Sequence, residues 1–97
     1  MQVSIASNYN IKEVTALVEG YAELVNLKHH LWILVRMCDL TKNIPNLTKV
    51  HRDAILLYGM LNLDSRSSAA VLGISHTTLL TRYQGALSQL TFLMNGV

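Results

Sequence analysis

The sequence predicts an all-α fold, in which a long N-terminal helix is followed by a three-helix region with a helix-turn-helix. Apolar residues recur at intervals of three and four along most of the 97 residues, which is the spacing of one helical face. Residues that commonly cap helices, Asn10, Asp64 and Ser75, precede three of the periodic stretches. A Leu-Gly-Ile-Ser turn at residues 72–75 separates the last two helices. We therefore expect one all-helical domain over residues 1–97.

The composition bounds the size of the protein and its need for a partner. A chain of 97 residues suits one domain with a modest core. Hydrophobic residues make up 51% and charged residues only 14%, against a usual charged share of about 25%. Such an excess of apolar surface favours a homodimer. The net charge of +2 gives little long-range attraction to DNA.

The single cysteine and the hydropathy pattern bear on the compartment. Cys38 has no second cysteine to pair with, which favours a reducing, intracellular environment. We interpret it as a small buried side chain rather than a reactive thiol. The N-terminus lacks the pattern of a signal peptide, and the longest apolar run, 31–35, is too short to span a bilayer. We expect a soluble, cytoplasmic protein.

The N-terminal half is predicted to be a flexible arm and one long helix. Residues 1–9 are small and polar, which is typical of a flexible arm. Asn10 and Glu13 form a capping-box pattern at the start of a helix over 10–43, and Pro45 disfavours its continuation. The apolar stripe is wide enough to pack on its own domain and on a second subunit. The residues we assign to dimer or partner contacts are Leu17, Tyr21, Leu24, Leu31, Trp32 and Val35.

The helix-turn-helix region is predicted over residues 47–94. A first helix runs from about residue 47 to 61, and Asp64 caps the second. Gly73 suits the left-handed conformation that ends a helix, and Ser75 caps a last helix over 76–94. The predicted core-facing residues of that helix are Leu79, Tyr83, Ala86 and Leu87. A short helix, a tight turn and a longer helix make a helix-turn-helix unit.

Residues 51–90 contain a series of motifs in a fixed order and spacing: Ala54-Ile55-Leu56-Leu57-Tyr58, Ala69, Leu72-Gly73-Ile74-Ser75, Thr78-Leu79, Arg82, Ala86-Leu87 and Leu90. In this order and spacing the stretch resembles region 4 of bacterial sigma factors and the related LuxR-type output domain. The layout of the whole chain is also similar to small phage late-gene activators of the ArpU and RinA kind. The resemblance implies a phage or bacterial transcription regulator that binds double-stranded DNA.

If the last helix is the recognition helix, we expect it to bind the major groove of DNA, because the first residues of such a helix contact base edges. The candidate DNA contacts are Lys49, Arg52, Arg66, Ser67, Ser75, His76, Thr77, Thr78, Leu80, Thr81, Arg82 and Gln84. The sequence departs from the family in having Leu80 and Gly85 at frequently basic positions, and Ser68 at a frequently aliphatic one. Few basic residues mean few phosphate contacts per subunit, which again favours a dimer.

Other functions are weighed against DNA binding. No nucleophile elbow, phosphate-binding glycine loop or metal-ligand spacing is present, so we expect no enzyme activity, cofactor, metal or small-molecule substrate. The main alternative is a protein-interaction module that docks on RNA polymerase or a sigma factor without reading DNA. A third possibility is a structural oligomer that keeps the fold alone.

Overall fold

Helices account for all the regular secondary structure of the described part of the chain, which confirms the all-α class. The computed structural model describes residues 9–27 and 30–96. The α-helices are α1 (Ile11–Glu19), α2 (Tyr21–Leu24), α3 (Leu31–Asn43), α4 (Lys49–Ala54), α5 (Ser65–Leu72) and α6 (His76–Met94). Short 3-10 turns cover Val25–Leu27 and Ile44–Asn46, and a π-helical turn over Ile55–Met60 extends α4.

The start of α1 has the predicted cap, but the residue before that cap is not part of a flexible arm. The Glu13 backbone N–H donates to Asn10 Oδ1 at 2.9 Å, and the Asn10 N–H donates to Glu13 Oε1 at 3.2 Å. Residues 1–8 of the predicted arm lie outside the described residues. The prediction is wrong for Tyr9, which is buried and donates from its hydroxyl to Asp39 at 2.9 Å and from its backbone to Asn95 at 2.6 Å.

The prediction of one long helix over 10–43 is wrong, because the chain reverses between α1 and α3. Helix α1 ends at Glu19, and α3 folds back so that Arg36 Nη1 lies 3.7 Å from Glu13 Oε2. In one straight helix these two residues would be roughly 35 Å apart. A straight helix would also leave the inner face of α3 outside the core, whereas the reversal buries Leu40 completely. The free energy gained by burying this apolar face exceeds the free energy lost by interrupting the helix.

Helix α6 is the central element of the fold. It packs against α1, α3, α4 and α5. The four side chains predicted to face inward are all buried: Leu79, Tyr83, Ala86 and Leu87. The observed span of α6 also equals the predicted one, 76–94.

The π-helical turn brings α4 close to α1 and α6. The Leu61 N–H donates to the Leu56 carbonyl at 2.9 Å, and a hydrogen bond between residues five apart is typical of a π-helix. A Cβ atom at Gly59, within this turn, would overlap Val18 and press on Tyr83. The glycine is therefore what permits the close approach of three helices at this point.

Ser68 is a buried polar residue on the inner side of α5. It is fully buried in α5, and its Oγ finds no hydrogen-bond partner among the described residues. A buried hydroxyl without a partner loses its hydration and gains nothing in return. The unpartnered hydroxyl of Ser68 therefore lowers the stability of the folded chain.

We predict that Ser68→Ala raises the free energy of unfolding by about 1 kcal/mol, because it removes an unsatisfied hydroxyl and leaves the methylene volume in place. Urea denaturation followed by circular dichroism measures the change. Ser67→Ala is the matched control on the same helix, since the Ser67 hydroxyl is exposed and donates to Asp64 at 3.0 Å. An unfolding free energy for Ser68→Ala below that of the unmodified protein would show that the hydroxyl is satisfied.

Candidate nucleic-acid interface

The two helices α5 and α6 and the turn between them have the caps that the sequence predicts. Asp64 Oδ1 accepts from the Ser67 N–H at 2.7 Å at the start of α5. Gly73 ends α5 in the left-handed conformation, with φ 69° and ψ 32°. Ser75 Oγ accepts from the Thr78 N–H at 3.1 Å and begins α6. The direction in which α6 leaves α5 is therefore fixed by local hydrogen bonds.

The solvent-facing side of α6 is polar and uncharged as far as Ser88, and the apolar Phe92 continues it one turn later with 58% exposure. The exposed polar side chains recur at intervals of four, three and four, and they are Thr77, Thr81, Gln84 and Ser88. His76 is exposed at the start of the helix, and its Nε2 lies 2.8 Å from Ser65 Oγ at the start of α5. We call the four residues the polar stripe of α6. They can donate and accept hydrogen bonds, but they attract phosphate only weakly.

Other predicted contact residues on α6 lie at the borders of this stripe. Thr78, Leu80 and Arg82 are half-buried, so each offers only part of its side chain to a ligand. The Ser75 hydroxyl donates to Thr78 Oγ1 at 2.8 Å in addition to its role as cap. Both hydroxyls are thus already used within the chain, and Ser75 serves to start α6 rather than to reach outward.

The predicted phosphate contacts lie on α4 and α5. Arg66 is exposed in the first turn of α5. Lys49, at the start of α4, is exposed, but its Nζ lies 2.8 Å from Asp53 Oδ2, which compensates part of its charge. Arg52 is half-buried on the same helix. The positive charge available to a nucleic acid on these two helices is small.

The fold adds a basic residue that the sequence analysis missed. Helix α1 runs beside α6, and an open groove of about 380 Å³ between them is lined by Lys12, Thr15, Gln84 and Leu87, among others. Lys12 thus lies near the polar stripe, although no local pattern links it to α6. Glu19 lines the same groove and opposes some of this charge.

Close packing of α4 on α6 accounts for the glycine at position 85. A Cβ atom at this position would lie 3.1 Å from His51 Nε2. The other ring nitrogen, Nδ1, lies 2.6 Å from Gln89 Oε1. The imidazole of α4 therefore covers the middle of α6, and a long basic side chain at residue 85 would displace it.

The residues predicted to contact a partner divide into two groups. Leu17 is buried in the core of its own chain, so the prediction is wrong for this residue. Tyr21, Leu24 and Val35 are half-buried against that core. Leu31 and Trp32 are 70% and 57% exposed. The long-helix prediction had put all six on one stripe, and the chain reversal separates them.

Cys38 also differs from expectation. It lies on the solvent side of α3, and its side chain is exposed rather than buried. The residues of α3 that fill the core are instead Met37 and Leu40.

Two further properties concern metals and membranes. Within residues 9–27 and 30–96, no group of three or more His, Cys, Asp or Glu side chains is arranged to hold a metal ion. None of the helices in these ranges is both long enough and apolar enough to cross a bilayer.

No protein-family model, curated protein or solved structure matches this chain.

The cap of α5 makes stability depend on pH in a defined direction. Hydrogen bonds from the backbone and hydroxyl of Ser67 hold the pKa of Asp64 below its ordinary value of 3.8. A carboxylate whose pKa is lowered by folding stabilises the folded state above its unfolded pKa, and this contribution is lost as the pH falls through the folded pKa. We therefore predict that Asp64→Asn unfolds more readily than the unmodified protein at neutral pH.

The difference between the two proteins should shrink as the pH falls below about 4, where the carboxylate of the unfolded chain begins to be protonated, and it should vanish once the folded carboxylate is protonated as well. Urea denaturation at several pH values measures it. A difference that stays constant down to a pH of about 2 would contradict the role of the charged carboxylate.

Proposed function

We propose that this chain is a sequence-specific DNA-binding transcription regulator of phage or bacterial type. In this proposal α5, the turn at Gly73 and α6 form a helix-turn-helix, and α6 enters the major groove. The regulator acts as a dimer, with each subunit placing one α6 helix on the DNA. The resemblance of residues 51–90 to sigma factor region 4 and to LuxR-type domains motivates the proposal.

The observation that carries the proposal is the local geometry of α5 and α6. An eight-residue helix, a left-handed glycine and a serine-capped second helix occur in direct succession. The first two turns of α6 present His76, Thr77 and Thr81 to solvent. In helix-turn-helix proteins the corresponding residues contact base edges, while the first helix crosses the backbone.

The chemistry of the exposed residues suits direct readout of bases. The amide of Gln84 can bond adenine through two hydrogen bonds, and the methyl groups of Thr77 and Thr81 can contact the thymine methyl. Arg82 would contact a phosphate or guanine at the border of the same face. These side chains would favour particular base sequences, but they would add little electrostatic attraction to DNA.

Phosphate contacts would come from the neighbouring helices. Arg66 lies on α5 and Lys49 and Arg52 on α4, both of which pack on α6, and Lys12 adds a cation at the groove with α1. Each phosphate that a cation neutralises releases counterions and adds affinity. So few cations give weak binding per subunit, which is the physical reason for proposing two subunits.

A second candidate is a protein-interaction module that docks on RNA polymerase or a sigma factor. The observation that favours it is the absence of charge on the polar stripe of α6, together with Val71, which is 66% exposed on the adjacent α5. An uncharged surface next to an exposed apolar residue can bind a protein partner through short-range contacts, without long-range electrostatic attraction. Its binding would respond little to added salt, whereas DNA binding weakens steeply.

We predict that Arg82→Ala combined with Gln84→Ala lowers the affinity for the DNA upstream of the protein's own gene by about tenfold or more, since each base contact is worth about 1–3 kcal/mol. A gel shift at low and moderate salt measures the effect. The matched control is Arg36→Ala, which removes the same type of side chain from α3, outside the proposed interface.

Unchanged affinity in the double variant would reject the assignment of these residues. If the folded, unmodified protein binds no duplex at either salt concentration, DNA binding itself is rejected, and the docking alternative becomes the proposal to test.

A further inference from the structure

Helix α3 has two apolar faces, and the inner one provides most of its contact with the core. The inner face carries Met37 and Leu40, which are buried. The outer face is lined by four residues at positions i, i+3, i+4 and i+7, and we call them the outer seam: Leu31, Leu34, Val35 and Cys38. At 3.6 residues per turn they lie within an arc of about 100°.

Three residues of the outer seam are open to solvent and Val35 is half-buried against the core, and the seam carries no charge over two helical turns. Leu31 is 70% exposed and Leu34 is 41% exposed, and Cys38 is exposed at the far end. Trp32, on the flank of the seam, is 57% exposed. The i, i+3, i+4, i+7 spacing is the one that packs a helix against a second helix.

We propose that the outer seam binds the outer seam of a second copy of this chain, with the two α3 helices antiparallel. This dimer proposal rests on the proposed function only for the expectation that the protein has two subunits. It adds which surface joins them. A twofold interface sets the same patch of both copies together, so that patch must be compatible with itself. An uncharged apolar seam meets this condition without bringing like charges together.

Side-chain volumes favour the antiparallel arrangement. If the twofold axis passes between Leu34 and Val35, Leu31 faces the partner's Cys38, and Leu34 faces the partner's Val35. Each large residue then meets a smaller one, which gives even spacing along the seam. A parallel pair would set Leu31 against the partner's Leu31 and leave a gap between the two cysteines.

Charge favours the same arrangement. Lys42 lies on this face one turn beyond Cys38, and its side chain is 71% exposed. In a parallel pair it would meet the partner's Lys42. In the antiparallel pair the two Lys42 residues lie about 22 Å apart along the helix axes, so their charges do not meet. The dipoles of the two α3 helices also oppose each other in this arrangement.

The seam is short, so the dimer should be reversible. Stable interfaces bury about 800 Å² per partner, and four seam residues with one tryptophan supply less. We expect a dissociation constant on the order of 1 µM or weaker. The mass should therefore rise with concentration from that of the 10.8 kDa monomer towards twice that value.

Sedimentation equilibrium of the full chain without DNA tests the surface. Leu34→Asp places two carboxylates beside the twofold axis and should weaken dimerisation by about a hundredfold or more, since like charges so placed cost several kcal/mol. The matched control is Val50→Asp on α4, because Val50 has nearly the same exposure, 43%, and should dimerise like the unmodified protein. Circular dichroism checks that both variants remain folded.

Cysteine cross-linking tests the register. In the antiparallel pair two Cys38 residues are about 10 Å apart along the axes, too far for a disulfide, whereas a cysteine at position 31 would face the partner's Cys38. Leu31→Cys should therefore form a covalent dimer on oxidation, and the unmodified protein should not.

A monomer at concentrations up to hundreds of micromolar would overturn the proposal, as would a dimer that persists in folded Leu34→Asp. Rapid disulfide formation by the unmodified protein would overturn the antiparallel register. These experiments contain no DNA, so they can fail or succeed independently of the proposed DNA binding.

Discussion

The burial of α6 is the constraint on which the rest of the structure depends. Tyr83 shows how it is achieved: its ring meets Tyr58 edge to face, with centroids 4.8 Å apart, and its hydroxyl donates to Glu19 at 2.9 Å. Burial and the neighbouring carboxylate both raise the pKa of Tyr83, so the hydroxyl remains a donor. One side chain thus joins α1, the extended α4 and α6.

A central position limits what α6 can offer to a ligand. Helix α1 borders it on one side through the groove at Gln84, and His51 of α4 covers Gly85 on the other. The polar stripe remains open and has no charge, with the half-buried Arg82 at its border and the exposed Phe92 one turn beyond it. If α6 reads DNA, base contacts must supply most of the specificity, while cations on other helices supply the attraction.

The high apolar content of the chain is explained in part by α3. This helix turns back along α1 and contributes Leu40 to the core, yet its opposite face keeps Leu31 and Leu34 in solvent. An apolar face of this kind has an unfavourable hydration free energy in an isolated subunit. The outer face of α3 therefore holds part of the excess apolar surface of the chain, alongside exposed apolar residues elsewhere such as Leu61 and Val71.

The sequence by itself determined the features that depend on neighbouring residues. The cap at Asp64, the left-handed Gly73 and the span of α6 were predicted correctly, because each depends on hydrogen bonds or periodicity within a few positions. Tertiary structure alone decided the reversal before α3, the exposure of Cys38 and the approach of Lys12 to Gln84. These depend on which apolar faces bury one another across the chain, and a periodic pattern does not specify its partner.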